Sequence, residues 1–132
     1  MQISIEKFIL KGEIGKLHIN CCESDVDSFE LIGSCKVEAP SKNEIAYSYL
    51  DLNFVRNIPY DIVTDISINL NSKESIFNDL KLVKSLEQLK LFLLKNELQY
   101  EQGNKCISTS SGLTICYDKE KPTFLHWSSC GK

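Results

Sequence analysis

Strong charge of either sign is missing from this sequence: 15 Lys and Arg against 18 Asp and Glu leave a net charge of −3. The sign is wrong for a general nucleic-acid binder, and the size is too small for an acidic mimic of DNA. Lys81, Lys84, Lys90 and Lys95 have no aromatics interleaved among them, so they do not read as a groove for single strands. No apolar run approaches the roughly 18 residues of a membrane span. The opening MQISIEKFILKGEIGK is interrupted by Glu6 and Lys7 and has no basic segment ahead of it, unlike a secretory signal. A cytoplasmic protein with no membrane contact is expected, and there the six cysteines should be thiols rather than a disulfide framework.

Catalytic signatures are missing too. Gly12 and Gly15 stand outside any phosphate-cradling loop, and neither H-E-x-x-H nor G-x-S-x-G occurs. Two histidines are a thin stock of general acid–base groups. Cys22 lies near His18, and Cys130 near His126, but neither pair sits in a recognisable nucleophile signature. The expectation is a protein without catalytic residues, cofactor or metal.

What is present is alternation. FELIGSCKVEA puts Phe29, Leu31, Gly33, Cys35, Val37 and Ala39 on one face, a strand with one dry side and one wet. GKLHINCCE does the same with Leu17, Ile19 and Cys21 inward, and QISIEKFIL reads as a first strand, turned by KGEIG. PSKN at 40–43 is turn chemistry. NEIAYSYLDLNFVR changes parity near Tyr49–Leu50, which predicts a bulge or a strand passing between packing surfaces. DIVTDISINL aligns Ile62, Ile66, Ile68 and Leu70. Five antiparallel strands in a row follow from connections too short for parallel crossovers.

Helix signals come next. NSKESIFNDL suits a short helix capped by Asn71 or Ser72. SLEQLKLFLLKNELQ is stronger: Ser85 and Gln88 fit a capping box, and Gly103 lies beyond as a stop. The helix has two apolar stripes, Leu86, Leu89, Phe92 and Leu93 on one side and Leu91, Leu94 and Leu98 nearly opposite. The second stripe is either covered by another layer of this chain or used as an interface, including one between two copies.

KCISTSSGLTICYDKEKPTFLHW reads as a three-strand meander. A three-residue loop SSG sets Cys106 opposite Cys116. Symmetric closure of DKEKP sets Ile115 against Leu125, Leu113 against Trp127, Thr114 against His126 and Cys116 against Phe124. One face then carries Ile107, Leu113, Ile115, Tyr117, Leu125 and Trp127; the other carries Cys106, Cys116, Phe124 and His126, with Cys130 beyond. A metal- or thiol-dependent enzyme or redox module using Cys106, Cys116, His126 and Cys130 is the alternative to a purely binding protein. The ligand spacing argues against zinc, since no two cysteines stand two to four residues apart as in C-x-x-C. The whole describes a single α+β domain over residues 1–132. It comprises about eight mostly antiparallel strands, a five-strand meander and a three-strand one, with one or two helices packed on or between sheet layers.

ESDVDSFE gathers Glu23, Asp25, Asp27 and Glu30 in the turn before the third strand, without the glycine and terminal glutamate of an EF-hand. It reads as a solvated acidic loop or as a contact loop for a basic partner, which Asp61 and Asp65 join if the sheet curls. Tyr47, Tyr49 and Tyr60 are candidate aromatic anchors.

The run from SLEQLKLFLLKNELQYEQ into SSGLTICYDKEKPTFLHW, within roughly Ile68 to Trp127, resembles bacterial immunity proteins of contact-dependent inhibition and related polymorphic toxin systems. The resemblance implies tight binding to one cognate toxin domain, often a nuclease with a basic surface, blocking its active site or its access to substrate.

Overall fold

The computed structural model describes residues 3–129. It is α+β and mostly sheet. Strands β3 (Lys36–Ser41), β4 (Glu44–Tyr49), β5 (Leu52–Asn57), β6 (Ile62–Asn69), β7 (Tyr100–Gln102), β8 (Cys106–Thr109), β9 (Leu113–Asp118) and β10 (Lys121–Ser128) form one eight-stranded antiparallel sheet in the order β3-β4-β5-β6-β10-β9-β8-β7. Two four-strand meanders thus join where β6 pairs with β10. A separate two-stranded ribbon, β1 (Glu13–Ile14) with β2 (Leu17–His18), and helices α1 (Ile5–Lys11), α2 (Glu23–Asp27) and α3 (Leu86–Lys95) complete the body. No helix among the described residues is long and apolar enough to cross a membrane.

The N-terminal segment is a helix where alternation suggested a strand. Ser4 caps α1 by accepting the Lys7 N–H at 3.4 Å, and Gly12 ends it at φ +68° with its N–H on the Phe8 carbonyl at 2.8 Å. Ile5, Phe8 and Ile9, spaced for one helical face, are buried. Gly12 has a second constraint, since a Cβ there would stand 2.8 Å from the Trp127 ring, whose Nε1 donates to the Phe8 carbonyl at 2.8 Å.

The next stretch also departs from the expected strands. GKLHINCCE contributes only the short β2 before α2 begins, and the acidic run 23–27 is helix rather than loop. Of the alternating row from Phe29 to Ala39, Phe29 is buried, a 3₁₀ turn occupies Ile32–Ser34, and β3 is an edge strand exposed on both sides, with Val37 56% exposed. The parity change at Tyr49–Leu50 is neither a bulge nor a surface switch. Leu50 at φ +54° and Asp51 turn a tight hairpin between β4 and β5.

In β6 a bulge at Thr64 lets Val55 face Asp65 and Arg56 face Val63. It sends Val63 into the core in place of the half-buried Ile62, while Ile66 and Ile68 are buried as expected and Leu70 is partly buried. The residues 71–80 form no helix. They cross the core with Ile76 and Phe77 buried, fastened by the buried Asp51. α3 starts at the Ser85 cap, which accepts the Gln88 N–H at 3.2 Å, but ends at Lys95, well before Gly103.

The C-terminal pairing matches the expected register: Cys106 with Cys116, Ile115 with Leu125, Leu113 with Trp127, Thr114 with His126, Cys116 with Phe124. The turn itself is tighter, Lys119 and Glu120 both lying at positive φ, and an extra residue at Thr123 restores the register. β7 adds a fourth strand to this meander.

One face of the sheet is dry. Leu52, Phe54, Val63, Ile66, Ile68, Ile107, Ile115 and Leu125 meet Phe8, Ile9, Leu86, Leu89 and Leu93 from the helices in a single core. Each such fully buried side chain contributes about 1.5–3 kcal/mol by leaving water. The helix α3 therefore lies on a sheet, and among the described residues no second layer covers its outer side.

Candidate functional site: an acidic corner built on Arg56

Arg56, the single arginine of the chain, points from β5 into the dry face and is only 6% exposed. Its Nη2 donates to Glu23 Oε2 at 3.3 Å and its Nη1 to Asp61 Oδ1 at 3.3 Å. Asp61, at φ +50° in the turn between β5 and β6, also accepts the backbone N–H of Glu23 at 2.9 Å. One guanidinium thus ties the start of α2 to the β5–β6 turn, while the side chains of Glu23 and Asp61 remain 60% and 52% exposed. Burial works against the Arg56 charge, but Tyr47, Glu23 and Asp61 outweigh it and hold the guanidinium pKa above its ordinary value. Arg56 Nε is buried with no hydrogen-bond partner among the described residues.

The six acidic residues singled out from the sequence divide. Glu23 and Asp61 come together as described. Asp27 and Glu30 stand exposed on and just after α2. Asp25 is half-buried and has a structural task, with Oδ2 accepting the Cys22 N–H and thiol at 3.3 and 3.4 Å. Asp65 does not join them. The Thr64 bulge puts it on the open face of the sheet, where His126 Nε2 lies 2.9 Å from its Oδ1 and Thr64 Oγ1 donates to its Oδ2 at 2.9 Å.

Among the candidate anchors, Tyr47 is buried and stacked on Phe54 with ring centroids 4.5 Å apart, and Tyr49 is partly buried. Tyr60 is 79% exposed, one residue from Asp61, with Ile58 41% exposed beside it. No sequence pattern distinguished these tyrosines. Tyr60 follows Pro59 in a turn, and turns lie on the surface. Arg56 was missed, because a lone charged residue in an apolar strand carries no local sign of the partners it will meet.

Cys106, Cys116 and His126 do share the open face, with Cys106 directly opposite Cys116, both as free thiols. The imidazole is engaged by Asp65 rather than by sulfur. Burial raises the Cys116 thiol pKa, and Cys106 adds to it. Cys130 lies outside the described residues. A different set of close donors exists where the end of β2 meets the first turn of α2. A ring nitrogen of His18, the Cys21 sulfur and an Asp25 carboxylate oxygen all lie within 4.8 Å of one another.

On α3, Leu91 and Leu94 of the outer stripe are each 60% exposed, and Leu98 is partly buried. Beside them a groove of about 710 Å³ opens between the start of α1, residues 78–82 and α3, lined by Ile3, Ile5, Leu82, Leu91 and Phe92 among others.

No family model matches the chain, and neither a curated protein nor a solved structure matches it.

Proposed function

We propose that this protein is an immunity protein, one that binds a cognate toxin domain through its surface and blocks that domain's active site or access to substrate, performing no bond chemistry itself. The observation that carries the reading is the acidic corner: two carboxylates more than half exposed, held in place by a buried guanidinium, beside an exposed tyrosine. Carboxylates fixed in advance lose little freedom on binding a basic surface, and they steer its approach. Tyr60 supplies the apolar anchor that such interfaces concentrate at their centre. Asp27 and Glu30 extend the acidic rim. The partner is a protein with a basic contact surface, such as a nuclease, and the interface expected is about 1,600 Å² in total. The partly exposed outer stripe of α3, Leu91, Leu94 and Leu98, is a second contact surface, suited to a second copy of the chain.

The test is affinity capture from the source lysate, read by native mass spectrometry, with the wild type and with a Tyr60→Ala/Asp27→Lys/Glu30→Lys variant. The expected result is one polypeptide held in defined stoichiometry by the wild type, lost by the variant, and inhibited in its own activity on adding the wild type. A captured protein whose activity is untouched, or none at all, would end this reading.

A further inference from the structure

We propose that His18, Cys21 and Asp25 form a binding site for a thiophilic divalent cation, zinc foremost, with water as the fourth ligand. The three donors come from one short run, HINCCESD, folded so that the end of β2 and the first turn of α2 converge. Their ligand atoms lie within 4.8 Å of one another. Around a tetrahedral zinc, bonds of about 2.0–2.3 Å put ligand atoms roughly 3.5 Å apart. The cluster therefore needs a contraction of at most about 1.3 Å, within the reach of side-chain rotation.

Each donor is held by something behind it. His18 Nδ1 lies 2.9 Å from the Ile19 carbonyl oxygen. Only an N–H can make that contact, so the proton sits on Nδ1 and the lone pair is left on the other ring nitrogen, as in many metal-bound histidines. Cys21 is anchored to the sheet: its carbonyl accepts the Val63 N–H at 2.9 Å, and the Asn20 N–H donates to the Val63 carbonyl at 2.8 Å. Asn20 adopts φ +72°, which lets the chain turn between His18 and Cys21. Asp25 is positioned by the Cys22 N–H and thiol.

The donor chemistry selects the ion. A thiolate ligand disfavours magnesium and calcium, which take oxygen shells. One nitrogen, one sulfur and one carboxylate oxygen is a set that zinc accepts with an open fourth position. On binding, the Cys21 S–H bond breaks, the sulfur's electron pair forms the metal bond and the proton leaves to solvent. The ion would bolt α2 to the ribbon β1–β2. The spacing rule that argued against zinc concerned the C-terminal sulfurs, and the local H-x-x-C-C-x-x-D run satisfies that rule's demand for neighbouring ligands. The inference stands independently of the toxin-binding reading.

The test titrates reduced, metal-free full-length protein with cobalt(II) and then displaces it with zinc. The expected result is one equivalent bound, a sulfur-to-cobalt charge-transfer band with the intense visible bands of tetrahedral cobalt, and a rise in melting temperature with zinc. The His18→Ala and Asp25→Asn variants, checked for native circular dichroism, should each weaken binding at least about tenfold, since each removes a direct ligand. A Cys106→Ser/Cys116→Ser variant should keep the bands. Absence of a thiolate band in the wild type overturns the site. So does a band that survives both His18→Ala and Asp25→Asn, or one that vanishes in the Cys106/Cys116 variant.

Discussion

The buried carboxylate of Asp51 accepts the backbone N–H of Ile76 at 2.9 Å and the Ser75 hydroxyl at 2.5 Å, joining a hairpin turn to a segment 24 and 25 residues further on. This contact gives the irregular stretch 71–80 its path across the core. Asp51→Ala should destabilise the protein by about 2–3 kcal/mol, the usual cost of stranding buried donors that had a charged acceptor. Asp51→Asn, which keeps one carbonyl oxygen, should lose less. Urea unfolding read by the fluorescence of Trp127 measures both, and a loss below about 0.5 kcal/mol in Asp51→Ala would contradict the role.

Arg56 has a different energetic character, because its two acceptors are largely in water. Arg56→Met keeps the buried stem and removes the charge. A loss of about 1–3 kcal/mol is expected, below that of a fully buried pair, since the freed carboxylates can hydrate. Salt should change wild-type stability more than that of the variant, and denaturation at two ionic strengths gives the comparison.

Leu91 and Leu94 are exposed, so the fold does not depend on them. Leu91→Lys/Leu94→Lys should leave stability within about 0.5 kcal/mol of wild type. In sedimentation the wild type should self-associate as concentration rises, while the variant stays monomeric; identical behaviour of the two would remove the stripe as a contact surface.

Burial lifts the thiol pKa values of Cys35 and Cys116 above the ordinary range, with Cys106 contributing at Cys116. Because the folded values are raised, the stability these neutral thiols contribute is complete below about pH 8.5, the unfolded value, and is lost as pH rises through the folded ones. Iodoacetamide should therefore modify both residues more slowly in the folded protein than in the urea-unfolded chain at pH 8. The gap should narrow at higher pH, as site-resolved mass spectrometry would show.

The C-terminal meander was legible because every signal agreed: alternation from Ile107 to Trp127, a glycine-bearing loop, and strands long enough that only one register buried Ile115 against Leu125. The N-terminal third misled because Ile3 and Ile5 alternate for a few residues, while the decisive signals were the cap at Ser4, the stop at Gly12 and the helical spacing of Ile5, Phe8 and Ile9. The row Phe29, Leu31, Gly33 has strand periodicity without strand neighbours. Long-range ties, Asp51 to Ile76 and Arg56 to Glu23, overrode local preference at 71–80 and built the acidic corner. No local pattern encodes such partners. Of the candidate site, the acidic residue types were visible in sequence, but not the guanidinium that arranges two of them, nor which tyrosine would face out.

The strand at the middle of the sheet, β10, follows its seven partners in chain order. As the chain emerges from a ribosome, the meanders β3–β6 and β7–β9 wait side by side with their inner edges unpaired until residues 121–128 arrive to zip them together, and α1 waits for Trp127 to close over Gly12. A chain that stops before Lys121 has nothing to seal that seam. Copies without β10 should therefore fall to proteolysis, and copies that contain it should accumulate.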